Sequence, residues 1–257
     1  MIKKICVNHA VTYEYPPDGG TIPIIDPYDG CSVGCPYCFQ LEDENWNLDL
    51  KVKLNIAEVL QQEVSSWSKT EPVYIGSRCD PYMGIERKYE LTRKCLMEIH
   101  KLNLKCMLTT KSGSRLIFRD LDIIQAMGDQ FTLLLGLSNL NQLTKVDDMS
   151  VLGNIQTANE LHRIGIQVWV FITPVLPGIT DVDAMIHALD DDIQVFLDKV
   201  RIKPGTRPAL ALESYIGRRY PHLVTTYHDI IYNGRDIYYE SMKEKWSKHK
   251  RIRFVFE

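Results

Sequence analysis

The sequence predicts an α/β fold, a partial (β/α)6 barrel of six strand–helix units with a short C-terminal extension. Three observations predict it. From residue 72 onward, short apolar runs rich in β-branched residues alternate with stretches of helical periodicity. A turn-rich loop carrying three closely spaced cysteines precedes that alternation, and near residue 211 the composition shifts to tyrosine and charge. Strands that alternate with helices pair in parallel with the helices outside. At 257 residues, 45% hydrophobic and 25% charged, the chain is long enough for one large core and short for two. Residues 1–210 are expected to form the barrel with its N-terminal loop segment, and 211–257 an extension packed on it.

Residues 1–30 carry Pro16, Pro17, Gly19, Gly20, Pro23, Pro27 and Gly30. Apart from an extended piece at 21–25 they are expected to be loop, lying across the barrel mouth. Residues 39–53 read as polar and turn-like. In 54–67, Leu54, Val59, Leu60, Val64 and Trp67 recur at near-helical spacing, giving the first helix. Strands follow at 72–76, 104–110, 131–138, 166–173 and 195–202, and helices at 90–102, 119–127, 151–164 and 182–190. The tail fits one helix over 220–248 and a short terminal strand at 251–256, with its tyrosines either core or cavity wall.

The formal net charge of −3 and a pI near 6.2 give no bulk attraction for nucleic acid or an acidic membrane. The polar start lacks the apolar run of a signal peptide, and no stretch reaches the length of a membrane span, so a cytoplasmic protein is expected. Cys6, Cys79, Cys95 and Cys106 are scattered without pairing spacings, which suits a reducing compartment and offers no second metal cluster.

The chemistry concentrates in Cys31-Ser-Val-Gly-Cys35-Pro-Tyr-Cys38. A structural zinc site wants four ligands, usually as two separated pairs, and no second pair occurs downstream. Iron–sulfur clusters are normally held by four thiolates, so three leave one iron of a 4Fe–4S cluster open, and an open position is where a metal does chemistry. A zinc site completed by Cys6 or His9 is the alternative.

In parallel barrels the reactive groups gather just past the strands. Gly76 and Ser77 allow close backbone approach to a ligand, and Asp80 offers a carboxylate to an ammonium. Lys111 stands at a strand tip where it can balance a ligand carboxylate, with the hydroxyl of Ser112 beside it. Cys79 carries an S–H bond weak enough to yield hydrogen to a carbon radical; an inert buried thiol is the plainer reading.

The cysteine spacing with Tyr37 one residue before Cys38 resembles the radical S-adenosylmethionine (SAM) superfamily. Residues 79–93 (CDPYMGIERKYELTR), Thr110-Lys111-Ser112, Arg119-Asp-Leu-Asp122 and 171–181 (FITPVLPGITD) narrow the resemblance to its spore photoproduct lyase-like branch. The resemblance implies that Cys31, Cys35 and Cys38 hold the cluster and that its open iron takes the amine and carboxylate of SAM. Electron transfer from the cluster then releases a 5′-deoxyadenosyl radical. It places Tyr37 near the adenine, Asp80 at the SAM amine, Lys111 at the SAM carboxylate and Ser138 on SAM, with Thr173, Pro174 and Leu176 among the residues lining the adenine. That branch has a donor cysteine apparently three positions ahead of the acidic residue, where this chain has Ser77; Cys79 instead adjoins Asp80.

The expected function is therefore a radical SAM enzyme acting on a small-molecule or peptide substrate, reduced by a partner such as flavodoxin or ferredoxin. Nucleic-acid repair or modification is the second reading, and needs a basic groove of which Arg218, Arg219, Tyr220, Arg235 and residues 243–253 offer a modest version. A non-catalytic protein with structural metal at the three cysteines is the third.

Overall fold

The computed structural model describes residues 1–14, 21–64, 71–137 and 151–256. In chain order its strands and helices are β1 (Ile2–Ile5), β2 (Val11–Glu14), β3 (Ile22–Ile25), β4 (Tyr28–Asp29), β5 (Leu50–Lys53), α1 (Ile56–Val64), β6 (Val73–Ile75), α2 (Glu86–Tyr89), α3 (Leu91–Lys101), β7 (Cys106–Thr110) and α4 (Leu121–Met127). There follow β8 (Phe131–Leu137), α5 (Val151–Arg163), β9 (Gln167–Ile172), α6 (Val182–Ala188), β10 (Gln194–Leu197), α7 (Arg207–Arg219), α8 (Val224–Asn233), α9 (Ile237–Trp246) and β11 (Ile252–Phe254).

The main sheet runs β2-β3-β6-β7-β8-β9-β10-β11. Among the described residues of this sheet only the β2–β3 pair is antiparallel. The other six pairings are parallel, so seven strands run in one direction where six were expected. The seventh is β11, drawn from the tail: the short alternation before the C-terminus is long enough to pair β10 in register, Val195 opposite Ile252. Strand alternation sorts the faces. In β9, Val168, Val170 and Ile172 are buried while Trp169 and Phe171 on the other face are half-buried, and Phe171 stacks on its register partner Phe196 at 4.6 Å.

Several expectations need correction. The N-terminal region is more than loop: β1, β5 and β4 form a second, three-stranded sheet that brackets the cysteine loop, and β2 edges the main sheet. The polar segment 39–53 accordingly ends in a strand. The tail is three helices, since Tyr220-Pro221 interrupts the helical hydrogen bonding and Gly234, at φ 62°, ends α8 in a left-handed turn. The boundary expected at residue 210 falls inside α7. The strand expected over 195–202 leaves the ladder after Leu197. Trp67 lies outside the described residues.

Two apolar clusters hold the parts together. The larger joins the buried strand faces to α1, α3, α4, α5, α6 and α9. The smaller gathers Leu176, Val200 and Tyr215, Ile216, Tyr227 and Ile231 of the tail helices, and Cys35 and Tyr37 pack against it. Tyr227 donates to Pro177 O at 3.1 Å and Tyr239 to Val175 O at 3.0 Å, tying the tail to the segment after β9. Among the described residues no helix is long and apolar enough to cross a membrane.

Candidate cofactor site

The cysteine loop leaves β4 through Gly30, at φ 91°, and Cys31 N donates to Trp46 O at 3.0 Å. Cys38 N then donates to Cys35 O at 3.2 Å, curling the second half of the motif on itself before a 3-10 turn over Phe39–Glu42. The three thiols and Tyr37 line one cavity of about 370 Å³ at the C-terminal ends of the parallel strands. Its other walls come from Gly76 to Asp80 after β6, Thr109 to Lys111 at the end of β7, Thr173 and Pro174 after β9, and residues 198–202 after β10.

Burial sets the state of the thiols. It pushes Cys31 up to about 12, with the Asp80 carboxylate adding to the rise, and raises Cys35 and Cys38 as well. The Lys111 ammonium opposes the rise at Cys35. Thiols held protonated this way release protons to a metal on binding. Among the described residues no three His, Cys, Asp or Glu side chains are grouped to hold a single ion. His9, expected as a possible fourth zinc ligand, instead pairs with Glu63 Oε1 at 2.8 Å, and neither it nor Cys6 lines the cavity. Three thiols lining one cavity with an ammonium suit a cluster with one open iron, whose negative charge Lys111 would offset.

Lys111 Nζ lies 4.8 Å from the centre of the Tyr37 ring and donates to Thr173 O at 2.7 Å. Its stem runs past Gly136, where a Cβ would lie 2.4 Å from Lys111 Cγ. Asp80 is saturated: Oδ1 accepts from Tyr82 N and Thr110 Oγ1, Oδ2 from Lys111 N and Ser112 N. Cys79, 2% exposed, directs its S–H toward Tyr28 O at 3.3 Å and Asp26 Oδ1 at 3.7 Å. Burial first, then the Asp26 charge, hold that thiol neutral well above its ordinary range. Ser77 Oγ donates to Glu14 Oε2 at 3.0 Å.

Behind the cavity sits a buried ionic network. Arg119 joins Glu86 Oε1 at 2.7 Å to Asp120 Oδ1 at 2.7 Å, both carboxylates having side chains with 0% exposure. The Tyr28 hydroxyl donates to Glu86, Tyr82 to Asp120 at 3.1 Å, and Arg93 pairs with Asp120 and, through two bonds, with Asp122. These residues fill the 79–93 and 119–122 motifs. They clamp the segment that leads into Cys31 onto the loop that carries Cys79 and Asp80.

Of the residues singled out in the sequence, Cys31, Cys35, Cys38, Tyr37, Gly76, Ser77, Cys79, Asp80, Lys111, Thr173 and Pro174 line this cavity together. Ser112 does not line it; its hydroxyl accepts from Ser114 N at 3.3 Å. Nor does Leu176, which is fully buried in the smaller core against the tail helices. No tail tyrosine lines the cavity either. Ser138 lies outside the described residues. Sequence reading missed Asp198 to Ile202 because it carried the strand five residues too far, hiding the strand end where a wall residue is sought. Asp26, 5% exposed, was signalled by its place directly after the 21–25 strand.

In the solved structures, spore photoproduct lyase complexed with dinucleoside spore photoproduct superposes with a TM-score of 0.60 at 15% identity, over 86% of this chain and 66% of that one. A cysteine-to-serine mutant of spore photoproduct lyase gives 0.59 at 16% identity with the same coverage. This chain shares the fold of spore photoproduct lyase. Among curated proteins, Uncharacterized protein MJ0683 of Methanocaldococcus jannaschii is 26% identical over 173 residues, 63% of this chain and 64% of that protein. Uncharacterized protein Rv2578c of Mycobacterium tuberculosis is 25% identical over 258 aligned residues, 89% of this chain and 74% of that protein. No family model matches the chain. The chain thus spans just under two thirds of the length of both the first of these relatives and the spore photoproduct lyase chain.

Proposed function

We propose that this chain is a radical SAM enzyme acting on a small-molecule or peptide substrate, with Cys31, Cys35 and Cys38 holding a 4Fe–4S cluster and SAM in the adjoining cavity. The observation that carries the reading is the meeting of three thiols, Tyr37 and the Lys111 ammonium in one cavity at the C-terminal strand ends. A cluster held there would supply the one-electron reduction that cleaves SAM, with a flavodoxin- or ferredoxin-like protein as reductant.

The chain's own residues bind and orient. Lys111 meets the SAM carboxylate, Tyr37, Thr173 and Pro174 flank the adenine, and Gly76 and Ser77 bring backbone against the ligand. The cavity walls keep water from the radical. Nucleic-acid repair is supported by the fold likeness alone, and the overall acidic balance opposes it.

Anaerobic reconstitution with iron and sulfide, followed by dithionite and SAM, tests the reading. The wild type forms 5′-deoxyadenosine and shows four-iron absorption; the variant with alanine at 31, 35 and 38 loses both. Zinc at one per chain, without iron or sulfide, would sink it.

Cys79 is the hydrogen-atom donor in this scheme. Support comes from its neutral S–H on the cavity wall, the protonation state that such a transfer requires. Cys79→Ser is expected to raise uncoupled 5′-deoxyadenosine relative to product, and an unchanged ratio removes the donor role.

A further inference from the structure

We propose that Asp80 is a positioning residue for Lys111 and makes no contact of its own with the amine of SAM. The inference rests on the radical SAM reading above. It begins from the acceptor count of a carboxylate, which offers about four hydrogen-bonding positions on its two oxygens.

All four are taken. Oδ1 accepts from Tyr82 N at 2.9 Å and Thr110 Oγ1 at 2.8 Å, and Oδ2 from Lys111 N at 2.6 Å and Ser112 N at 2.9 Å. The residue is 8% exposed. An incoming ammonium would have to displace a donor that could find no other partner, which is costly for buried N–H groups.

Three of the four donors belong to the single turn 110–112 that ends β7. Thr110 Oγ1 also accepts from Ser112 N at 3.1 Å, closing the turn around the carboxylate. Successive N–H groups converging on one anion make a rigid nest. The main chain of Lys111 is thereby anchored at its own nitrogen. Its stem runs past Gly136, and its ammonium lies over Tyr37 and donates to Thr173 O at 2.7 Å. Among the described residues no carboxylate is paired with the Lys111 ammonium, whose hydrogen bonds go to Thr173 O and the Tyr37 hydroxyl.

The two roles make opposite predictions about which part of SAM feels the loss of Asp80. A direct amine ligand matters only while the amine is present; a residue acting through Lys111 matters only while the carboxylate is. Equilibrium dialysis on anaerobically reconstituted protein, with SAM, its deaminated analogue and its decarboxylated analogue, separates them. Asp80→Ala removes the acceptor of all four donors, so the turn opens. We expect it to weaken SAM and the carboxylate-bearing deaminated analogue by about tenfold, or 1.4 kcal/mol, and to leave decarboxylated SAM unchanged. In a Lys111→Ala background it should add nothing further.

Thr110→Val removes one donor but leaves the carboxylate, and serves if the Asp80 variant does not fold. It should weaken the same two ligands by a smaller factor. A penalty that disappears with the amine and survives loss of the carboxylate would overturn the proposal, as would full affinity in both variants. Wild-type protein that binds none of the three ligands would refute the radical SAM reading itself, a result distinct from either.

Discussion

Arg119→Ala is expected to cost about 3–5 kcal/mol of folding stability, the range for breaking a buried ion pair from one side. Glu86 and Asp120 have side chains with no exposure, and Arg119 supplies each with charge-assisted bonds, Nη2 reaching Glu86 Oε1 at 2.7 Å and Nε reaching Asp120 Oδ1 at 2.7 Å. Without it, among the described residues, Glu86 keeps the Tyr28 hydroxyl and the backbone N–H groups of Thr92 and Arg93, all neutral donors. Asp120 retains Arg93, so Glu86 bears most of the cost. Urea unfolding should show a lower midpoint at unchanged slope. Arg119→Lys recovers part of the loss, since one ammonium cannot span both carboxylates as the guanidinium fork does. A loss below about 1 kcal/mol would mean that water reaches Glu86 and the network is not the clamp described here.

Gly30→Ala should leave the chain folded and, on the radical SAM reading proposed above, weaken its hold on the cluster. At φ 91° a side chain already costs about 1–2 kcal/mol. Here a Cβ would also sit 2.2 Å from Asp49 O and 2.9 Å from Trp46 O, both backbone atoms that cannot rotate away. The loop must lift, and the bond from Cys31 N to Trp46 O goes with it. The main sheet does not depend on this turn, so the unfolding midpoint should move modestly while iron and sulfide retained after desalting fall about tenfold, the factor that 1.4 kcal/mol of misplaced ligand corresponds to. Retention equal to wild type would show that the turn at Gly30 does not set the position of Cys31.

The motifs that carried the resemblance divide on folding into two kinds of residue. Cys31, Cys35, Cys38, Tyr37 and Lys111 line the cavity, whereas Glu86, Arg93, Arg119, Asp120 and Asp122 build the network behind it. A charged residue in a motif has the same letter whether it faces a ligand or a buried partner. Burial tells them apart, and burial is a property of the folded chain. The N-terminal strands were hidden for a related reason: β1 and β5 are four residues each, alternate weakly, and pair with each other across the cysteine loop, so neither carries a local signal of its own.

The linear order of residues suffices for what depends on neighbours in the chain. Three thiols within eight residues are brought to one cavity by a short backbone, and strands that alternate with helices give parallel pairing whatever lies further off. Contacts between distant segments arise only on folding. Three of the four donors to Asp80 lie 30 to 32 residues away on β7 and the turn that ends it, contacts that no local stretch of sequence announces and on which the positioning role proposed above rests. The tail joins the sheet as its seventh parallel strand because β10 has an open edge that β11 can pair, and an unpaired edge is invisible until the sheet exists.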